Sequence, residues 1–474
     1  MPTRTVPGSD AQYQLICFDA DGVERAESDG TKLSDAVVTR LAVTDAPITD
    51  VFFCSHGWQG DVPAAIAQYD KWVGEMARSA DLALARAKRP GFSALTIGVH
   101  WPSLPFGDEA VPDGSGVLGD DEDKALEAQV AQFAASIVDT PTARAAIRLI
   151  LSAAAHDDGE RETLPDHVRD AYEELAREAD LPRGGSNPGG APGEEQGEWD
   201  ADAIYAEARA SAISNAASDS QSGADATMPT GLPGDAPTAG VLGGGFLGAL
   251  KGLLVAPLQQ ASFWKMKDRA RTIGEGGAHA LLIRLQQAAP RTTRFHLMGH
   301  SFGCIVMSAT VAGTAGGPPL VRPVDSLFLV QGALSLWSYS PDIPVAPGSV
   351  GYFNRTLTQG FVNGPIVTTQ SRFDRAVGML YPTAVRVKSQ FVLGDELPKF
   401  GGVGTFGIQG IGGVGESLSM ATADHEYGFR AGHVYNLESS DVIKTSSGMA
   451  SGAHSDIAHP EVAHAMWQAV LADA

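Results

Sequence analysis

The stretch of sequence that decides the fold is "RTTRFHLMGHSFGCIVMSAT", residues 291–310. Its first part, "FHLM", is typical of a short buried strand, and "FGCIVMSAT" is typical of a helix. Between them stands the pattern G-x-S-x-G, formed by Gly299, Ser301 and Gly303. Glycines on both sides of Ser301 have no Cβ, so the strand and the helix can pass close to each other around a tight turn. Because glycine makes up 55 of the 474 residues, the pattern carries weight only through this strand–turn–helix context.

Strand and helix patterns alternate along much of the rest of the chain. Apolar runs typical of buried strands occur in "ITDVFFC", "ALTIGVH", "VDSLFLV" and "GPIVTT", and "GHVYNLE" is predicted as the last strand. At the N-terminus, "YQLICFDADGVERAE" predicts an antiparallel hairpin, because Asp21-Gly22 suits a two-residue turn. We therefore predict an α/β protein: a mostly parallel sheet with helices on both faces and an antiparallel hairpin at its N-terminal end.

A long insertion interrupts the predicted core. Residues 1–104 and 261–474 carry the strand–helix alternation, whereas residues 105–260 do not. The insertion begins with helical patterns, over 124–155 and 164–180. From about 183 to 240 it is rich in Gly, Pro, Ala, Ser and acidic residues and has few large apolar side chains, which predicts a flexible acidic linker within an inserted helical cap.

Composition narrows the possible partners. The formal net charge of −22 disfavours binding to nucleic acids and to anionic membrane surfaces. The N-terminal segment has no apolar stretch of the signal-peptide kind, and no charge-free apolar stretch of 18 residues is present, so we expect a cytoplasmic protein. The cysteines Cys17, Cys54 and Cys304 lie among apolar residues without a framework spacing, which predicts buried thiols.

Ser301 has the context of a nucleophile. A tight turn between a strand and a helix presents the serine hydroxyl, and the N-terminus of the helix favours negative charge that develops beside it. A tetrahedral intermediate also needs two backbone N–H donors. We expect one from Phe302 and the other from Trp58, in "SHGWQG" after an earlier strand. The alternatives are an ordinary helix start at Ser301 and a turn with a buried tryptophan at Trp58.

The order strand, His56-Gly57-Trp58, helix, strand, helix, G-x-S-x-G, helix resembles the α/β-hydrolase superfamily. The resemblance covers roughly residues 12–104 and 260–474, and it is nearer to the bacterial lipase and esterase branches than to the peptidases. It implies a triad of serine, acid and histidine, with the acid after a late strand and the histidine after the last one. It also implies an enzyme that works without a cofactor.

Asp374, in "GPIVTTQSRFDRAVG", stands where this family has its acid. The earlier strand "VDSLFLV" is followed by "QGA" and offers no acid at that turn. The alternative for Asp374 is a surface carboxylate paired with Arg372 or Arg375. Asp342, in "YSPDIP", is the second candidate for the acid.

Three histidines in the C-terminal segment "SGAHSDIAHPEVAH" compete for the role of the base. His454 lies in the predicted loop between the last strand and the last helix, where the family has its histidine. His459 falls at the start of that helix and His464 within it, where side chains more often pack or face solvent. His454 is therefore the predicted base, and Asp456 is expected to cap the helix.

The reaction that this resemblance implies is hydrolysis of a carboxylic ester through an acyl-enzyme. Ser301 would attack the carbonyl carbon, His454 would take its proton, and Asp374 would orient the imidazole. The residues expected to line the substrate pocket are His56, Gly57, Trp101 and His300. Core packing is an equal alternative for Trp101. Small-molecule esters or acyl compounds are the expected partners. Cleavage of amides, peptides or thioesters by the same triad is one alternative, and a catalytically idle relative that serves as a binding module is another.

A second resemblance has weaker context. Asp19-x-Asp21, after an apolar strand, resembles the haloacid-dehalogenase phosphatase motif. That family also needs a later pair of acids at a strand end, and the acidic candidate "GDDEDK" has no strand before it. We therefore favour a turn at this position.

Two further patterns depart from the motifs that they resemble. "GVGTFGIQGIGGVG", in a glycine-rich loop near 400–415, contains G-x-G-x-x-G at Gly402, Gly404 and Gly407. Without a helix after it, we expect a mobile loop and no dinucleotide site. "DHEYGF" begins like H-E-x-x-H but ends in Phe429, so no catalytic metal is expected.

Residues 245–260, "GFLGALKGLLVAPLQQ", have apolar side chains at helical spacing. Such a segment is typical of a lid or of an amphipathic helix that makes weak contact with an interface. A lid would favour apolar acyl esters as substrates. An ordinary helix packed on the core is an equal alternative.

Overall fold

The structure, a computed structural model, describes residues 3–57, 62–103, 122–157, 159, 161–182, 184, 187–195, 197–221, 252–374, 377, 397–446 and 452–472. The chain divides into two compact units. The sheet unit consists of Met1–Leu104, Asn187–Gln196 and Lys267–Ala474, and the helical unit of Pro105–Ser186 and Gly197–Met266. The predicted insertion 105–260 corresponds to the helical unit, except that it ends at 266 and that 187–196 belongs to the sheet unit.

In the described part of the chain, nine strands form one sheet with the order β1-β2-β4-β3-β5-β6-β7-β9-β8. The strands are β1 (Thr3–Thr5), β2 (Gln12–Cys17), β3 (Asp50–Ser55), β4 (Ala94–His100), β5 (Arg294–His300), β6 (Ser326–Val330), β7 (Ile366–Gln370), β8 (Gly415–Ser419) and β9 (Val434–Glu438). Among the strands that the structure describes, β1 and β2 pair in antiparallel fashion and the other pairs are parallel. Central strands such as β3 and β6 are buried along their whole length, as expected of a parallel sheet covered on both faces. The α/β fold predicted from the sequence is thus confirmed.

The antiparallel pair lies earlier in the chain than predicted. β1 is the partner of β2, whereas the segment after β2 contributes a single bridge, between Phe18 and Glu24. Asp21-Gly22 does form a turn, and Gly22 has a φ of 75°. The carboxylate of Asp19 ties this turn, because its Oδ1 accepts the backbone N–H groups of Asp21 at 3.0 Å and of Val23 at 2.8 Å.

Helices flank the sheet. Those whose residues lie in the sheet unit are α1 (Leu33–Leu41), α2 (Val62–Arg78), α3 (Ala80–Lys88), α9 (His279–Ala288), α10 (Gly303–Ala312), α11 (Asn354–Thr358), α12 (Val403–Phe406) and α13 (Pro460–Leu471). α8 (Ala256–Ile273) contributes residues to both units, and a π-helical turn, Gly274–Ala278, connects it to α9. All ten residues of α10 are buried, so the helix that follows the G-x-S-x-G turn lies within the core.

The helical unit contains α4 (Glu122–Ser136), α5 (Pro141–Ala155), α6 (Asp166–Glu178) and α7 (Ala201–Gln221), together with the first part of α8. α7 falls inside the stretch expected to be a flexible linker, and this part of the expectation is wrong. The ring of Tyr205 on α7 is 1% exposed, and Trp199 meets Trp264 edge to face at 5.6 Å. A few large apolar side chains therefore anchor a segment of otherwise polar composition. Residues 222–251 of the predicted linker and of the following segment lie outside the described residues.

The described part of the candidate lid belongs to a core. Residues Gly252–Val255 form a 3-10 turn, and α8 begins directly after it. Leu254 and Leu258 are fully buried in the apolar core of the helical unit. Of the two alternatives for 245–260, core packing applies to this part. Within the described ranges, no helix combines the length and the apolar character needed to cross a membrane.

The thiols differ in their burial. Cys54 and Cys304 are buried, as predicted, and burial raises the pKa of the Cys54 thiol to about 12. Cys17 is only partly buried, since it stands at the end of β2. None of the three cysteines, all of which the structure describes, forms a disulfide.

Candidate catalytic site

Ser301 adopts a backbone conformation that residues other than glycine rarely occupy. It follows β5 directly and has a φ of 55°, in the left-handed region. The N–H of Ser301 donates to the carbonyl of Val330 at 3.1 Å, and its own carbonyl accepts the N–H groups of Ala333 and Cys304, each at 3.1 Å. The end of β6 therefore holds the strained turn in place. Such stored strain is most often found at functional positions.

The two glycines of the pattern allow a close approach of backbone segments. A Cβ on Gly299 would lie 2.3 Å from the carbonyl oxygen of Gly303, and a Cβ on Gly303 would lie 2.3 Å from the carbonyl oxygen of Ser55. Real Cβ atoms do not come this close to backbone oxygens, so a side chain on Gly299 would force β5 and α10 apart and one on Gly303 would force α10 away from the end of β3. The contact of Gly299 matches the predicted close approach of strand and helix, whereas Gly303 is needed for the approach of α10 to β3.

Asp374 and His454 are hydrogen-bonded to each other. Asp374 lies four residues after the end of β7 and is completely buried, and its Oδ2 is 2.8 Å from Nδ1 of His454. His454 lies between β9 and α13 and is 9% exposed. The surface pairing considered for Asp374 is not what the structure has, since Arg372 instead lies 4.8 Å above the ring of Phe373. Arg375 lies outside the described residues.

The competing candidates have other contacts. Asp342 is exposed, and its Oδ1 accepts the N–H of Gly348 at 2.9 Å within a surface turn. His459 directly precedes α13 and has its Nε2 2.9 Å from Oδ1 of Asp456. His464 is buried in α13, with Nδ1 2.7 Å from Oδ2 of Asp81.

Asp456 does not cap the last helix, contrary to the expectation. α13 has no side-chain cap at its N-terminus, because the preceding residue is His459 and the first is Pro460. Oδ2 of Asp456 accepts instead the backbone N–H groups of Lys444 at 3.0 Å and Thr445 at 2.7 Å. Asp456 thus ties the segment after β9 to the loop that carries His454.

The loop after β3 reaches the serine. A Cβ on Gly57 would lie only 2.7 Å from Cβ of Ser301 and 3.2 Å from Nδ1 of His300. Gly57 therefore packs directly against the turn of the candidate nucleophile. Trp58, the residue predicted to supply one oxyanion donor, lies outside the described residues. Phe302, predicted to supply the other, is fully buried at the start of α10.

His56 and Trp101 form a buried stack. Their rings are 8° from parallel with centroids 5.8 Å apart, and they are 1% and 0% exposed. Nε2 of His56 lies 3.0 Å from Nδ1 of His100, and the indole N–H of Trp101 donates to the carbonyl of His56 at 3.3 Å. These contacts match the packing role considered for Trp101. The stack supports the loop that carries Gly57.

His300 connects the serine turn to the loop that carries the base. Its Nε2 donates to the carbonyl oxygen of His454 at 3.0 Å, and its ring meets Trp72 edge to face. Burial, together with the nearby His454 and His56, lowers the pKa of His300 to about 3. Nδ1 of His300 is buried and has no hydrogen-bond partner among the residues that the structure describes. His300 is therefore a neutral donor that holds the backbone of His454.

Gln331 is a contact residue of the site that the sequence did not single out. It is completely buried directly after β6, and its Nε2 lies 3.1 Å from Oδ2 of Asp374. The other carboxylate oxygen of Asp374 accepts the N–H of Val377 at 3.1 Å. The sequence carried one indication, since the turn "QGA" lies where an acid was sought and contains this amide.

The glycine-rich segment near 400–415 is packed, so the expectation of a mobile loop is wrong. α12 lies within it, and Val403 is completely buried. The N–H of Gly404 donates to the carbonyl of Gly332 at 2.8 Å, and a Cβ on Gly404 would lie 2.9 Å from Oδ2 of Asp374. A Cβ on Gly407 would lie 2.3 Å from Oε1 of Gln370. These glycines let the segment cover the buried acid at close range.

A second group of the same residue types lies elsewhere in the sheet. His296 has Nδ1 2.8 Å from the hydroxyl of Ser326 and Nε2 3.2 Å from Oδ1 of Asp50. All three are at most 3% exposed, and Asp50 also accepts a hydrogen bond from Arg89. Ser326 and Asp50 begin their strands, so this group lies at the amino edge of the sheet, opposite to Ser301. It is a structural network in the core.

Across the described part of the chain, no group of three or more His, Cys, Asp or Glu side chains is arranged to hold a metal ion. Comparison of the whole chain with protein-family models, with curated proteins and with solved structures finds no match. Ser301, Asp374 and His454 are therefore the residues whose geometry bears on function.

Proposed function

We propose that this protein is a serine hydrolase of the α/β-hydrolase type, with Ser301, His454 and Asp374 as its catalytic triad. One observation carries the proposal. The strained turn of Ser301 and the buried pair of Asp374 and His454 lie at the same edge of the sheet. Ser301 follows β5, Asp374 follows β7 and His454 follows β9. These strands are parallel, so their carboxyl ends meet at one edge of the sheet.

The hydrogen bond between Asp374 and His454 fixes which nitrogen can act as the base. Nδ1 of His454 donates to the carboxylate, so Nε2 is left to accept a proton. In the proposed reaction, Nε2 takes the hydroxyl proton as Oγ of Ser301 bonds to the carbonyl carbon of an ester. The tetrahedral intermediate then expels the alcohol, to which His454 returns the proton, and leaves an acyl-enzyme. Water attacks the acyl-enzyme by the same proton transfers and releases the acid.

The negative charge of the intermediate needs two N–H donors. The N–H of Phe302 at the start of α10 is the first candidate, and the N–H of Trp58, which lies outside the described residues, is proposed as the second. Support for the second comes from the position of Gly57, which packs against Ser301. Asp374 would orient the imidazole and stabilise its charged form during the transfer.

The proposed substrates are small-molecule carboxylic esters, and the enzyme is proposed to need no cofactor. Amides, peptides and thioesters would react through the same groups, and pocket shape would decide between them. A cytoplasmic location stays a prediction. A catalytically idle relative that serves as a binding module is the alternative from another class. Against it stands the combination of a strained serine with an intact Asp–His pair.

A fluorophosphonate probe tests the proposal directly, because it reacts only with an activated serine. We expect covalent labelling of the wild-type protein and none of Ser301→Ala. Ser326→Ala is the matched control, since Ser326 is a buried serine bonded to the His296–Asp50 group. Its labelling should equal that of the wild type. Absence of labelling of the wild type, or equal labelling of Ser301→Ala, would refute the proposal. A panel of nitrophenyl esters and nitroanilides then separates esterase from amidase activity.

A further inference from the structure

Gln331 occupies a position whose backbone is unfavourable for any side chain. It follows β6, is completely buried and has a φ of 47°. A glycine would adopt this left-handed conformation without strain, yet the chain has a glutamine here and a glycine only at the next position. A strained, non-glycine residue at a buried turn points to a role for its side chain.

The hydrogen bonds of Thr369 determine which way the amide of Gln331 faces. The hydroxyl oxygen of Thr369 accepts the backbone N–H of Gln331 at 3.0 Å. The hydroxyl proton is then free to donate to Oε1 of Gln331, also at 3.0 Å. With its oxygen held by Thr369, the amide presents its NH₂ group to Oδ2 of Asp374 at 3.1 Å.

The same oxygen of Asp374 also accepts Nδ1–H of His454, at 2.8 Å. Since Val377 donates to the other oxygen, the carboxylate is held from both ends. Gly404 leaves room for this arrangement, because a side chain there would collide with both Asp374 and Gln331. A rotation of the Asp374 side chain away from His454 would break the bond to Gln331 as well.

We propose that Gln331 is a positioning residue of the triad: its amide, oriented by Thr369, fixes Oδ2 of Asp374 where His454 must donate. The inference rests on the proposed function, since it assigns Gln331 to the same site. In this role Gln331 acts through the acid, because its amide bonds to the carboxylate of Asp374. The orientation of the imidazole thus depends on a relay of side chains that begins on β7 with Thr369.

The test compares Gln331→Met, which keeps the side-chain length but lacks the donor, with Gln286→Met as a matched control. Gln286 is also buried in the sheet unit, and its Nε2 donates to the carbonyl of Arg322 at 2.9 Å. With a nitrophenyl ester, Gln331→Met should lower kcat by about 10- to 100-fold and leave KM within about two-fold, because the lost bond has a charged acceptor. Gln286→Met should leave both constants unchanged at a temperature where it is folded.

A readout that does not need activity is the downfield proton resonance of the Nδ1–H···Asp374 bond, assigned by its loss in His454→Gln. The resonance should shift or broaden in Gln331→Met and stay in place in Gln286→Met. If Gln331→Met does not fold, a comparison of Thr369→Val with Thr369→Ser tests the same role. Serine keeps the hydroxyl that orients the amide of Gln331, and valine lacks it. Thr369→Val should then show the shift, and Thr369→Ser should not.

The inference is overturned if the resonance and kcat of Gln331→Met match those of Gln286→Met, or if Thr369→Val and Thr369→Ser behave alike. Failure of the proposed function looks different. A wild-type protein that neither reacts with the fluorophosphonate nor cleaves any ester, but whose resonance still depends on Gln331, would retain the positioning role without the hydrolase.

Discussion

Oδ2 of Asp374 lies 2.8 Å from Nδ1 of His454, and the same oxygen lies 3.1 Å from Nε2 of Gln331. One carboxylate oxygen thus accepts two N–H donors that come from different loops, while Oδ1 accepts a third from Val377. The pair is therefore part of a network that joins the turns after β6 and β7 to the loop before α13. A substitution at any residue of this network should therefore alter the position of the His454 imidazole.

We expect Asp374→Asn to lower catalytic activity without changing the tautomer of the His454 imidazole. The asparagine oxygen should take the place of Oδ2, because two donors meet there, and its NH₂ would then face the N–H of Val377. The tautomer of His454 would be kept, but the negative charge that stabilises the imidazolium would be lost. We expect kcat toward a nitrophenyl ester to fall on the order of 10²- to 10⁴-fold, with KM little changed.

The control for this variant is Asp342→Asn, the other acid that the sequence offered. Asp342 is exposed and bonded only within its surface turn among the described contacts, so its removal should leave kcat and KM unchanged. An equal loss of activity in both variants would show that Asp374 is not the acid of the site.

Sequence reasoning succeeded where the determinants are local. Gly299 is required by a contact within the turn itself, with the carbonyl of Gly303, and this can be inferred from a strand, a turn and a helix. Gly303 is required by a contact with Ser55 at the end of β3, which the local pattern does not show. The prediction of Asp374 and His454 rested on the resemblance to the α/β-hydrolase superfamily, which has its acid after a late strand and its histidine after the last one. Both residues lie where the resemblance implied, after β7 and after β9, and their side chains meet, although no local pattern marks either residue.

The features that were missed depend on contacts between distant segments. Gln331 and Asp374 are 43 residues apart, and nothing in "QGA" shows that its amide will meet the acid. Gly404 resembled part of a mobile loop because glycines that permit close packing have the same composition as glycines that permit motion. α7 was missed because the buried ring of Tyr205 and the partly buried ring of Trp199 just before the helix outweigh the polar composition around them.

Gly404→Ala should destabilise the protein and impair the site together. The new Cβ would lie 2.8 Å from the carbonyl carbon of Gln331 and 2.9 Å from Oδ2 of Asp374, neither of which can move freely. Overpacking of this kind costs about 1–3 kcal/mol in the free energy of unfolding. Urea denaturation and ester hydrolysis measure the two effects.

Gly413→Ala is the matched control from the same segment. A Cβ at Gly413 meets no atom within 4 Å of the described structure. We expect stability within about 0.5 kcal/mol of the wild type and unchanged kcat. Comparable losses in the two alanine variants would argue against steric contact with the acid as the cause.

The buried ion pair of Lys267 and Glu195 should make the two residues interdependent. Both side chains are at most 2% exposed, and Glu195 lies in the part of the insertion that belongs to the sheet unit. Lys267→Met leaves a buried carboxylate without its cation, which should lower the free energy of unfolding by about 3–5 kcal/mol. The double variant Lys267→Met/Glu195→Gln should recover much of this loss, as measured by urea denaturation. Additive losses would mean that the pair does not interact.

His300 should make the free energy of unfolding depend on pH, in the range between its pKa in the folded and in the unfolded protein. Its pKa is lowered from 6.5 to about 3 by burial and by His454 and His56, so the unfolded chain binds more protons between these values. The free energy of unfolding therefore falls as the pH drops from about 6.5 toward 3, by an amount on the order of a few kcal/mol. Above pH 6.5 the group is neutral in both states and contributes no slope.

His300→Gln keeps an amide donor for the carbonyl of His454 but cannot titrate, so it should lose less stability than the wild type on acidification. Urea denaturation of both proteins between pH 7 and pH 4 measures this difference. The carboxylates are common to both proteins, so their contribution to the free energy of unfolding cancels in the comparison. Parallel curves of stability against pH would show that the fold does not hold His300 neutral.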